Sequence, residues 1–103
     1  MAGIEDRIII EYSIDVPITG IRKVIGRNSD LLDPNKRPNP KLHRGENDLM
    51  KIHIWPDRPD TLDEEEITAY EYRVAQFVGE LIDFSVNIEV QIAPFVVPAP
   101  QGP

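Results

Sequence analysis

Phe84-Ser85-Val86-Asn87-Ile88-Glu89-Val90-Gln91-Ile92 alternates five apolar residues with four polar ones without a break. An extended chain turns successive side chains to opposite faces, so Phe84, Val86, Ile88, Val90 and Ile92 are expected to share one face. Ser85, Asn87, Glu89 and Gln91 then share the other. All the apolar members except Phe84 are β-branched, and Phe84 is itself a good strand former. The stretch is read as a strand with one oily side, and the rest of the chain must cover that side.

The same pattern recurs near the start. Ile8, Ile10, Tyr12, Ile14 and Val16 point one way, and Ile9, Glu11, Ser13 and Asp15 the other, with Ile9 the only apolar intruder. Pro17 cannot donate to a sheet ladder, so either pairing stops there or the strand lies at an edge. A third alternating run covers Leu49 to Trp55, where Met50, Ile52 and Ile54 alternate with Lys51, His53 and Trp55, and Pro56 and Pro59 bracket its end.

Between the run at 49–55 and the run at 84–92, Thr61-Leu62-Asp63-Glu64 fits a capping box, with Thr61 accepting from the amide three residues on and Glu64 reaching back. The acids 63–66 suit the positive end of a helix. The helix carries Ile67, Tyr70, Val74, Phe77, Val78 and Leu81 as one stripe and runs to about Ile82. Gly79 beside that stripe suggests close approach of the sheet, with a merely tolerated glycine as the alternative. Residues 18–26 are ambiguous: Ile18, Ile21, Val24 and Ile25 fit a helical stripe with Gly26 just past its end. Their β-branched character and Gly20 equally allow a short strand or irregular turn. A short helical turn is the expectation.

Matching the oily faces gives an α+β, two-layer sandwich. A three-stranded mixed or antiparallel sheet packs on one long helix, and the other sheet face stays polar. The 103 residues suit one domain, expected over 1–98, with 99–103 a proline-rich extended tail. Residues 27–48 have three prolines and little periodicity and are read as a long basic, proline-rich loop.

Composition removes several classes of function. An apolar fraction of 41% with 28% charged residues belongs to an ordinary globular chain, and no apolar run approaches the roughly 20 residues a bilayer requires. Acids stand where a secretory leader would be basic, so no leader and no membrane association are expected. There is no cysteine, which excludes disulfides, thiol chemistry and Cys-ligated zinc and fits a cytoplasmic, intracellular or virion-associated setting.

No phosphate loop, serine elbow or paired-histidine metal motif occurs, and His43 and His53 have no third ligand at metal spacing. No cofactor, no metal and no catalytic residue are therefore expected. The outward residues of the first and last strands include no aromatic and three acids, which disfavours an RNA-stacking sheet.

Charge is uneven. The segment 34–44 carries Lys36, Arg37, Lys41 and Arg44, with His43 and no acid, so it is +4 in a chain of net −7 and leaves −11 elsewhere. The expectation is a non-catalytic interaction or assembly protein, an oligomer subunit or small adaptor of the kind found in viral and mobile-element assemblies. Its partner is protein, self or a larger assembly. Contact would run through the basic loop (Lys36, Arg37, Lys41, His43, Arg44), an open sheet edge and the apolar segment Phe95, Val96 and Val97. The acids Asp63, Glu64, Glu65 and Glu66 read as a solvated helix start that also offers a negative patch to the loop. One alternative is phosphate or nucleic-acid binding through 34–44, which the acidic body disfavours. Another is an inhibitor that imitates a polyanion.

Overall fold

A computed structural model describes residues 5–36, 40–43 and 48–96. The elements are β1 (Arg7–Ser13), α1 (Ile18–Arg27), β2 (Pro40–His43), β3 (Leu49–Ile54), α2 (Glu64–Leu81) and β4 (Asn87–Gln91). Two 3-10 turns, Ser29–Leu31 and Ile82–Phe84, follow the helices. The sheet is antiparallel throughout with the order β2-β3-β1-β4. The α+β two-layer arrangement expected from the alternating runs is the one found, with a fourth strand and a second helix added to it.

β1 is central. Ile8 lies opposite Ile54 on one side and Val90 on the other, and Ile10 lies opposite Ile52 and Ile88. Opposed residues of an antiparallel pair share a face, so this apolar column faces the helices. Against it pack Tyr70, Val74, Phe77 and Leu81 of α2, with Ile67 and Val78 half-buried at the margins of the stripe. The core continues through Ile21 and Val24 of α1, Leu31 and Leu62.

α1 is a full ten-residue helix rather than a short turn. Gly20 explains how it seats: a Cβ built there would lie 2.4 Å from the Phe84 ring, so the missing side chain lets α1 approach that ring. Gly26 lies inside the helix rather than past its end, and Asn28 forms the cap. The buried Asn28 donates through Nδ2 to Val24 O (2.8 Å) and to Glu80 Oε2 of α2 (2.9 Å). Arg27 pairs with the same Glu80, and Arg73 of α2 grips Asp30 with two nitrogens, so polar contacts fasten the end of α1 to α2.

Five further expectations need correction. The first strand ends at Ser13, not Val16. A turn follows in which Ser13 O accepts from Val16 N–H and Ser13 Oγ from Asp15 N–H, and Ile14 is exposed. The capping box sits two residues later than Thr61–Glu64. Asp63 Oδ1 accepts from Glu66 N–H (2.8 Å) and Glu66 Oε1 from Asp63 N–H (3.2 Å). Both spacings satisfy the motif, but Leu62 is buried and donates its N–H to Val96 O, which keeps residues 61 and 62 outside the helix. Gly79 has open space beside it, so no close approach explains it.

The described residues of the stretch 27–48, which are 27–36, 40–43 and 48, are also more structured than a loop. Arg27 ends α1, Leu31 is buried, Leu32 bridges to Pro56, and Asp33 N–H and Leu31 O bond to Trp55 O and Asp57 N–H. Its Pro40–His43 segment is β2, paired with β3 so that Leu42 stands opposite Met50.

The largest correction concerns residues 84–92. Only Asn87–Gln91 is strand, and Phe84 belongs to a 3-10 turn. Ile88 is half-buried against the core, but Val86 is 63% exposed and Val90 40% exposed. The apolar column does face the helix side. It reaches past the cover that α2 provides, because β4 lies at the sheet margin.

Candidate functional site

β4 forms one edge of the sheet and β2 the other. An edge strand presents unpaired N–H and C=O groups to any further strand. The two edges differ in sequence: β2 contains Pro40, which has no N–H, and Lys41, whereas Asn87–Gln91 contains neither proline nor lysine. Beside the unguarded edge runs a groove of about 330 Å³ between the end of α2 and the start of β4, lined by Val78, Ile82, Ser85, Val86, Asn87 and Ile88. Ile82 is 60% exposed there, and Val86 continues the column of Ile88 and Val90 while its own N–H bonds back to Glu11 O at 2.8 Å. The polar face of β4 is tied down, with Asn87 Nδ2 donating to Glu11 Oε1 and Gln91 Nε2 to Glu89 Oε1. An open ladder and an apolar trough thus lie side by side, the pairing required to accept an extended segment with alternate apolar residues.

Past β4 the chain is fastened rather than open. Asp6 and Arg58 form an ion pair (Nε to Oδ2, 3.0 Å) in which both side chains are almost fully buried. Asp6 Oδ1 accepts from Ala93 N–H (2.8 Å), Arg58 Nη2 donates to Ala93 O (2.7 Å), and Tyr70 donates its hydroxyl proton to Asp6 Oδ2. Arg58 Nη1 is buried without an acceptor among the described residues. The guanidinium carbon lies 4.1 Å from the Phe95 ring centroid and 5.8 Å from that of Tyr70, whose π faces add attraction.

Burial, followed by the hydrogen bond to Asp6 and the charge of Asp6, raises the Tyr70 pKa far above the ordinary phenol range. Tyr70 therefore holds its proton and is a donor in the fold, which suits a clamp and makes it a poor acid or base near neutral pH. Sequence periodicity placed Tyr70 in the core stripe but gave no sign of Asp6 or Arg58. Nothing in a spacing shows that two residues 52 positions apart will be buried as a pair.

The residues singled out from sequence separate accordingly. Lys36 pairs with Glu5 over a shallow cavity of about 270 Å³ that Asp33, Asp57 and Asp60 also line. It does not meet the 63–66 patch. Lys41 and His43 stand in β2 opposite Lys51 and Leu49. Arg37, Arg44 and Val97, like the tail 99–103, lie outside the described residues. Phe95 is half-buried beneath Arg58, and Val96 is half-exposed with its backbone bridged to Thr61. Asp63 and Glu66 cap α2, and Glu64 and Glu65 are exposed in its first turn. Among the described residues no group of acids and histidines is placed to hold a metal ion, and no helix is long and apolar enough to cross a membrane. No protein-family description, curated protein or solved structure matches this chain.

Proposed function

We propose that this chain is a non-catalytic interaction and assembly protein whose working surface is the open edge of β4 with its adjoining groove. The observation that supports this most directly is the exposure of Val86 and Ile82 beside a strand edge that has neither proline nor lysine. Of the other surfaces expected from sequence, Phe95 is engaged internally by Arg58, and Lys36 of the basic segment is engaged by Glu5. That engagement also weakens the alternative of phosphate binding through 34–44.

Titration with short labelled peptides of alternating apolar and polar residues tests the reading by fluorescence anisotropy. One peptide carries the sequence of 85–92 and the others carry unrelated alternating sequences. Saturable binding with Kd on the order of 10–100 μM is expected, weakened about tenfold when Val86→Lys and Val90→Lys are combined. Failure of every peptide to bind up to about 1 mM would remove the reading.

A further inference from the structure

We infer that the segment this edge accepts is the β4 edge of a second copy, paired antiparallel about a twofold axis through Ile88. The inference rests on the reading of β4 as a docking edge and adds the partner and its register.

A twofold axis that joins two identical antiparallel strands must pass through a residue position, and the three inner positions of Asn87–Gln91 are Ile88, Glu89 and Val90. An axis through Glu89 sets Glu89 directly opposite its own copy, a like-charge pair in the middle of the ladder. An axis through Val90 leaves Val86, the most exposed member of the column, opposite Pro94, which has no N–H to contribute. An axis through Ile88 avoids both faults. It places Ile88 against Ile88, Val86 against Val90 and Val90 against Val86 on the helix side. On the other face Glu89 meets Asn87, whose amide has two N–H groups and uses one on Glu11. Charge and apolar matching thus select one register.

The same axis brings the two grooves together on one side of the sheet, so that each copy's Ile82 and Val86 gain cover. The product is a continuous antiparallel sheet with the strand order of each copy repeated outward from the axis. Both of its outer margins are then β2, the strand that contains Pro40 and Lys41. Guarded margins stop further addition, so association closes at two.

The chain has no cysteine, which gives a clean test of register. Antiparallel partners have Cα atoms about 4.5–5.5 Å apart, within disulfide reach, whereas an offset of four residues separates them by about 13 Å. Under mild oxidation Ile88→Cys is expected to cross-link to itself. An equimolar mixture of Val86→Cys and Val90→Cys is expected to cross-link across the two variants, while Val86→Cys alone does not. The mixture uses exposed positions and so stands even if Ile88→Cys disturbs folding.

Sedimentation velocity from about 1 μM to about 1 mM should show a monomer–dimer equilibrium, as suits an interface at the small end of the range. Val86→Lys should weaken it about tenfold. A monomer throughout that range, or self-cross-linking of Glu89→Cys in place of Ile88→Cys, overturns the inference. If alternating peptides still bind the monomer, the edge reading survives and only the choice of partner falls. If they do not, both fall together.

Discussion

β1 and β4 lie side by side with nearly the same sequence pattern and opposite fates. Ile8 and Ile10 are at most 1% exposed, while Val86 and Val90, on the neighbouring strand and the same face, are 63% and 40% exposed. Strand composition does not separate them. Position does: β1 has a strand on each side and two helices above it, whereas β4 has a neighbour on one side and only the edge of α2 above it. Alternation shows which residues share a face. Burial depends on what the rest of the chain brings to that face.

Six substitutions test this contrast, beginning with the largest effect. Asp6 leads into β1 and binds the amide just past β4, so it joins the two strands at their common end. Asp6→Ala leaves the Arg58 charge buried and unpaired, and chemical denaturation should show a loss of about 3–5 kcal/mol. Ile10→Ala in β1 should cost about 2–5 kcal/mol, whereas Val86→Ala beside β4 should stay within about 0.5 kcal/mol. Equal costs would break the comparison.

Tyr70→Phe removes a hydrogen bond to a carboxylate at the same joint and should cost about 1.5–3 kcal/mol near neutral pH. A phenol whose pKa is raised by folding binds its proton more tightly in the native state than in the unfolded chain. The stability it contributes is fully present below about pH 10 and is lost as pH rises above that value. Denaturant midpoints measured from pH 7 to 11 should fall at the alkaline end for the parent chain and fall less for Tyr70→Phe.

Two glycines supply the smallest contrast. Gly20→Ala forces a Cβ toward the Phe84 ring and should cost about 1–3 kcal/mol of overpacking, offset by about 1 kcal/mol of helix propensity. Gly79→Ala meets open space and should stabilise α2 by about 0.5–1 kcal/mol. Opposite signs in thermal melts are the expected outcome.

Much of the architecture is legible in the sequence, because it rests on short-range periodicity. The α2 stripe, the faces of β1 and β3, and the two-layer class all follow from spacing that a reader can count. β2 was not legible: four residues with Pro40 among them have no period of their own and become strand only because β3 offers a partner. α1 was half legible, since the value of Gly20 depends on Phe84, which is distant in sequence. The candidate site divides in the same way. The open edge could be anticipated from the strand count. Its groove depends on where α2 stops relative to β4, and the Asp6–Arg58–Tyr70 clamp depends on three positions that only the finished fold brings together.

The central position of β1 has a kinetic consequence. Every ladder contact that β1 makes is to residues at least 36 positions away, from Ser13 with Leu49 out to Arg7 with Gln91. Folding must therefore close long loops before its middle strand finds either neighbour, which favours refolding in milliseconds to seconds rather than microseconds. During synthesis the run Ile8-Ile9-Ile10 emerges before the strands it pairs with, β3 and β4, so it needs protection from aggregation until β4 has left the ribosome.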